Sequence, residues 1–413
     1  MPLRTRESRL SGAYWRLWLA TGIDNIGNGA YVAAVPLLAV SLTQDPRLVT
    51  LVATATYLPW LLVSLQAGAL VDRVDRVTLM RRCQLVAATV VSCTAVLIAL
   101  DEITIAGLAV LAFVLGTCDV AFANAAQAVL PDVVPKHVLH RANGNQQAMI
   151  TVGQQFIGPP VGSSLFVVSA ALPFGVDACS FVLSASILSK MPRRSPPPAR
   201  ESIRAAIASG LRWLMRHRLM RTLAILVAVN LFCWQMANAT LVLLATQTLH
   251  LDARAYGVLL ASAAVGGILG ALVNARVVQR IGPLPAILSA LATNVMAFIG
   301  SGLSPNTVTL GVFLAISAFA TTLWNIVTTT LRQQVVPSDM LGRVNSVYKM
   351  LGWSLIPLGT LTGGLVAHEL GLRAPQLVAG TVRAIALLVV LPVLLTAMRG
   401  ATRHGERSPR ENQ

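Results

Sequence analysis

The residue best placed to do chemistry is Asp24. It stands in an otherwise apolar stretch, eight residues after Arg16, or about 12 Å along a helix at ~1.5 Å per residue. Asn28 and Tyr31 follow four and seven positions later, so one helical face is polar from Asp24 onward. A carboxyl group at that depth in a membrane helix is a candidate for function. It can take up and release a proton, or bind a cation. A plain hydrogen bond between helices is the competing reading. Asp119 is a second candidate for the same chemistry. Asp177 follows Pro173 by only four residues and is expected near the outer headgroups.

Further polar residues interrupt other apolar runs. They are Gln147, Thr151, Gln154 and Gln155; Asn230, Trp234, Gln235 and Asn238; Trp324, Asn325 and Thr328; and Asn345, Tyr348 and Trp353. Amides beside aromatic rings suit the wall of a cavity for a bulky amphipathic solute, and equally suit hydrogen bonds between helices. Enzyme chemistry finds no support: the chain has no Ser/His/Asp grouping, no phosphate-binding loop and no cluster of metal-ligand spacing. No cofactor is implied. The five cysteines read as free buried thiols. Without a nucleotide site, an ion gradient is the remaining energy source.

The elements that must position these residues follow from composition. Apolar residues make up 55% of the chain and charged ones 12%, about half the charged share of a soluble domain. A spanning helix takes about 20 apolar residues, and twelve stretches qualify: 17–42, 48–71, 79–100, 104–127, 142–170, 173–189, 219–248, 256–274, 284–303, 307–330, 344–367 and 376–398. The first is too long for a cleaved leader. With both termini cytoplasmic, only Arg47, Arg254, Arg373 and Arg383 of the 32 Lys and Arg fall outside, as the positive-inside rule requires. That asymmetry accounts for the net charge of +16 without nucleic acid, and it makes the inner face a surface for anionic membrane lipid.

Residues 191–218 differ from the rest. They open on a proline run that no helix continues. Ile203, Ile207, Leu211 and Leu214 then recur at helical spacing among arginines. That pattern fits an amphipathic helix on the inner membrane surface, or an ordinary solvated linker helix. It divides an N-terminal six-helix bundle, 1–190, from a C-terminal one with a basic tail, 219–413. The bundles repeat each other. Gly-Ala-Leu-Val occurs at Gly68 and again at Gly270, 202 residues apart. Pro135, Leu139, Arg141 and Asn143 recur at the same offset as Pro337, Leu341, Arg343 and Asn345. Parallel repeats with a site between them are a common transporter architecture. The small-residue series Gly158–Gly162 and Ser262–Gly266–Gly270 read as close-packing faces.

The charged turn after the second stretch reads Gly68-Ala-Leu-Val-Asp72-Arg73-Val-Asp75-Arg76. It resembles the signature loop of the major facilitator superfamily, with Gly68, Asp72, Arg73 and Arg76 at matching positions. Asp75 replaces the motif's second glycine and Val77 its last basic residue. Leu130-Pro131-Asp132-Val133-Val134-Pro135, Ile157-Gly158-Pro159-Pro160-Val161-Gly162 and Asp177-Ala178-Cys179-Ser180-Phe181 are similar to the enterobactin-exporter and macrolide-efflux branch. The resemblance implies an all-α membrane protein of the cell membrane, with twelve transmembrane helices in two pseudo-symmetric six-helix bundles. It implies a gate in which Asp72 faces the start of the eleventh span, capped by Ser338-Asp339, while Arg73 and Arg76 pair with acids of the facing half. It further implies proton-coupled export of a small amphipathic molecule; Asp24 and Asp119, singled out by their own positions, are the candidate coupling residues. Asn28, Tyr31, Gln147, Gln154, Asn230, Trp234, Asn238, Trp324, Asn325 and Tyr348 are the cavity candidates. A lipid or lysophospholipid transporter of the same fold, and a non-transporting receptor or assembly partner, are the alternatives.

Overall fold

The computed structural model describes residues 11–71, 73–134, 138–192, 203–337 and 340–405. Among these the regular structure is helical. The helices are α1 (Gly12–Leu42), α2 (Pro46–Leu62), α3 (Ser64–Val71), α4 (Arg76–Ala99), α5 (Ile105–Val133), α6 (Leu139–Thr151), α7 (Gly158–Val168) and α8 (Leu172–Leu188). After them come α9 (Ile203–Arg216), α10 (Arg218–Leu243), α11 (Ala253–Ile281), α12 (Pro283–Leu303), α13 (Thr307–Val335), α14 (Leu341–Ser354), α15 (Ile356–Leu370) and α16 (Ala374–Gly405).

Nine of the twelve apolar stretches fall on helices long and apolar enough to cross a membrane, among the described residues. The other three are interrupted or short, for visible reasons. The stretch at 48–71 breaks between α2 and α3, shortly after Pro59. The stretch at 142–170 passes from α6 through a π-helical segment, Val152–Ile157, into α7, which opens on Gly158-Pro159-Pro160. A π-helical turn absorbs an extra residue where proline removes backbone donors. α8 has 17 residues.

Helix starts are set by side chains that accept a backbone N–H. Ser11 accepts from Tyr14, Thr104 from Gly107 and Asn306 from Thr309. Asp75 accepts from Thr78 N at 2.7 Å and so caps α4. Its departure from the signature loop is therefore a helix cap. Gly282 precedes α12 at φ +83°, a conformation that glycine adopts without a steric penalty.

The chain forms two compact units. One comprises residues 1–43, 55–200 and 253–257; the other comprises 44–54, 201–252 and 258–413. The repeat offset persists in the helices: α5 and α13 each have 29 residues and begin 202 apart, as do the starts of α8 and α16. Both small-residue series pack closely. Gly158 and Gly162 lie against Gly29 and Ala30 of α1, and Gly266 and Gly270 against Ala315 and Phe319 of α13.

α9 belongs to the second unit, and part of its apolar side packs on protein while Leu211 stays exposed. Leu214 is buried in a cluster with Met220, Val344 and Val347, and Ile207 and Trp213 pack against that cluster. Gly210 meets the backbone of Arg343, whose Nη1 donates to Ser209 Oγ at 3.4 Å. The buried part of the amphipathic pattern thus docks the helix on α14.

Candidate functional site

Four helices of the first unit bring their polar side chains together. Asp24 is the thirteenth residue of α1, about 18 Å from its start at ~1.5 Å per residue, and is 4% exposed. Gln84 of α4 donates from Nε2 to Asp24 Oδ1 at 2.8 Å and to Ser184 Oγ of α8 at 3.0 Å. Asn28 Nδ2 donates to Asp24 Oδ2 at 3.4 Å. Both carboxylate oxygens of Asp24 therefore have an amide donor.

Asp177 of α8 is fully buried. α8 packs so closely on α1 that the position is sealed. The close approach needs Gly27, where a Cβ would collide with Ser180 Oγ and Asp177 Oδ1. Ser180 Oγ donates to Asp177 Oδ1 at 3.3 Å, while Asp177 Oδ2 has no partner among the described residues. Asp119, midway along α5, is half-buried. Asp24, Asp119 and Asp177 lie within electrostatic range of one another, and the Tyr31 hydroxyl within range of Asp119 and Asp177. The Tyr31 ring meets Phe174 edge-on, 5.7 Å between centroids. No group of three or more metal-ligand side chains could hold an ion among the described residues. An open apolar groove of about 510 Å³ between α1 and α8 is lined by Ile23, Ile26, Val176 and Leu183, with Gly27 and Ser180 also on its wall.

The second unit gathers polar groups on the corresponding helices α10, α12, α13 and α16. Here the central group is a cation. Arg383 is 6% exposed. It donates from Nη1 to Asn294 Oδ1 at 3.1 Å and from Nη2 to Asn230 O at 2.8 Å, and its guanidinium lies 4.0 Å from the Phe298 ring centroid. Ser317 and Thr321 of α13 also donate to Asn294 Oδ1. Arg383 is thus a buried residue of α16, a correction to its count among external charges.

The family model for transmembrane secretion effectors, within the major facilitator superfamily, matches residues 9–410. The chain belongs to this family. It is a multi-pass cell-membrane transporter, not an enzyme. It is 28% identical to the multidrug efflux pump Tap of Mycolicibacterium fortuitum over 90% of this chain and 93% of that protein. It is 24% identical to the enterobactin exporter EntS of Citrobacter koseri over 96% and 94%. A bacterial homologue of the iron transporter ferroportin shares its fold, with TM-score 0.73, 14% identity, and 92% and 98% of the two chains covered.

Of the major facilitator signature residues, Gly68 lies in α3 and Asp72 outside the described residues, as do Ser338 and Asp339. Arg73 is exposed. Arg76 Nη1 pairs with Asp132 Oδ2 at 2.6 Å and donates to Ala128 O at 3.0 Å. Asp132 belongs to the same unit as Arg76. The polar residues singled out in the transporter's other helices are scattered. Gln147, Trp234 and Asn325 are exposed, and Gln154, Asn230 and Asn238 half-buried. Trp324 and Tyr348 are in the core of the second unit, and the Tyr348 hydroxyl donates to Met220 O. Sequence reasoning missed Gln84 and Arg383. Gln84 sits 60 residues from Asp24, so no local spacing links them. Arg383 was visible as a lone charge inside an apolar stretch.

Proposed function

We propose that this transporter exports a small amphipathic compound in exchange for protons, with Asp24 as the residue that binds the coupled proton and Asp119 assisting. The observation that carries this reading is the burial of Asp24 mid-helix with amide donors on both oxygens and no cation partner among the described residues. A carboxylate so placed is stabilised by hydrogen bonds and is neutralised when a proton arrives. The similarity to Tap, a multidrug efflux pump, and to EntS, an enterobactin exporter, supports export. The apolar groove beside Gly27 and Ser180 offers space for the apolar part of such a compound. Asn28 and Tyr31 line the same face of α1 as Asp24.

Twelve spans with both termini cytoplasmic belong to this reading. The charge count supports the orientation, more so once Arg383 is placed inside a helix. The basic inner face would lie against anionic lipid.

The test is flux in proteoliposomes under an imposed pH gradient, with fluorescent amphipathic dyes and drug-like compounds as probes. Wild type is compared with Asp24→Asn. The expected result is loss of gradient-driven accumulation in the variant, by roughly tenfold or more, while substrate exchange without a gradient persists. Gradient drive that survives Asp24→Asn would overturn the assignment.

A further inference from the structure

We infer that Asp177 is a second proton-binding residue, electrostatically coupled to Asp24: buried in the α1–α8 contact, it holds a proton of its own when Asp24 is ionised. The inference deepens the proton-coupled reading and rests on it for its role in transport.

The argument is a contrast between two carboxyl groups. Asp24 receives an amide N–H on each oxygen, from Gln84 and from Asn28. Asp177 has only the Ser180 hydroxyl on Oδ1, at 3.3 Å, and that hydroxyl also donates to the Asp177 carbonyl at 2.8 Å. Its Oδ2 is buried without a partner among the described residues. An isolated carboxylate buried in this way is far costlier than a neutral carboxyl group. Two carboxyl groups in settings this different divide into a proton acceptor and a proton holder. Asp24 is the acceptor and Asp177 the holder.

Among the described residues, the surroundings of Asp177 offer no cation to neutralise it. α1 presents Asp24 and Tyr31 to it, and α5 presents Asp119. α4 presents Gln84, through Ser184, and its thiol Cys83 faces Asp119. α7 has no titratable side chain, and on α8 itself Cys179 is exposed. Arg76 is paired with Asp132. A metal ion has no set of three ligands among the described residues. A proton needs one oxygen only. Gly27 lets Asp177 and Ser180 lie this close to α1, since a Cβ there would meet Ser180 Oγ and Asp177 Oδ1. Asp119 is the half-buried member of the group.

The experiment is infrared difference spectroscopy of the purified full chain in lipid, stepped between acidic and alkaline buffer, with proton uptake counted in parallel. No substrate and no gradient are present. Wild type, Asp24→Asn, Asp177→Asn and the double variant are compared. Asp177→Asn should fold as wild type, since asparagine resembles the protonated acid. Asp177→Ser serves as a second variant. The expected result is loss of one carboxylic-acid C=O band in Asp177→Asn, one fewer proton taken up, and a changed titration of the remaining Asp24 band. An unchanged band and proton count in both Asp177 variants would overturn the inference. So would loss of the band with Asp24 titrating as in wild type, because the two groups would then be independent. Failure of the gradient assay with Asp24→Asn is a separate result and strikes the proton-coupled reading itself.

Discussion

The two units place their polar interior on the same four helices of the repeat and fill it with opposite charges. In the first unit, α1, α4, α5 and α8 contribute Asp24, Gln84, Asp119 and Asp177. In the second, α10, α12, α13 and α16 contribute Asn230, Asn294, Ser317 with Thr321, and Arg383. Two pairs are in strict register at the offset of 202: Asn28 with Asn230, and Asp119 with Thr321. The difference is one of permanence. A guanidinium keeps its proton under all conditions met by a protein, and Arg383 is held by two hydrogen bonds and an aromatic face. A carboxyl group changes charge with a single proton, and Asp177 has an oxygen with no donor. The same scaffold thus carries a fixed charge in one repeat and exchangeable ones in the other.

The strongest way to break this comparison is at Gly27. Its counterpart at the repeat offset is Val229, which carries a side chain in the packed second unit. Gly27→Val would push a branched group into Ser180 Oγ and Asp177 Oδ1. Overpacking costs ~1–3 kcal/mol in tight cores, and short, buried neighbours leave little room to yield. We expect a clear loss of melting temperature in detergent and loss of export. Normal folding and export in Gly27→Val would show that the α1–α8 contact is looser than the acid pair requires.

Arg383 gives the next effect. Replacing it with alanine removes charge-assisted hydrogen bonds and a cation–π contact, for about 2–4 kcal/mol of stability. Lysine should restore only part, because one ammonium cannot reproduce the fork that reaches Asn294 and Asn230 together. The pH profile of export should stay in place in Arg383→Lys, whereas it should move in Asp24→Asn. A shifted profile in Arg383→Lys would mean that the two clusters act as one titrating system.

Much of this was legible in the sequence, and the limits have physical causes. The 202-residue offset came from two short motifs, and it matches the helix starts of α5 with α13 and α8 with α16. Asp24 was conspicuous because a charge in an apolar helix has few structural excuses. Position along α8 gives no account of the burial of Asp177, which is set by the neighbouring helix. Five residues into α8 it is already sealed, owing to a glycine 150 positions earlier. Gln84 was invisible for the same reason: its partners lie on α1 and α8. The amphipathic pattern of α9 shows which face wants cover, and cannot say whether lipid or α14 supplies it.

The smallest expected effect sharpens the comparison from outside the bundle. Asp45 lies in the turn between α1 and α2, its side chain 27% exposed. It accepts from Arg47 N at 2.9 Å, from Arg47 Nη2 at 3.0 Å and from Arg47 Nε at 3.3 Å, and His368 Nδ1 lies 3.7 Å away. The hydrogen bonds from Arg47 hold its carboxyl below the usual carboxylate range. A group whose value is lower in the folded state contributes stability above its unfolded value, about 3.9 for Asp, and loses it as pH falls through the folded one. Asp45→Asn should therefore lower the melting temperature slightly at neutral pH and not at all in strong acid. Exposed ion pairs contribute little, and export should be unaffected. Asp45 and Asp177 are the same residue in opposite settings: one has an arginine and solvent, the other a lone oxygen in a closed helix contact. If Asp45→Asn altered the pH dependence of export as much as Asp24→Asn, proton control would lie at this turn rather than among the acids of α1, α5 and α8.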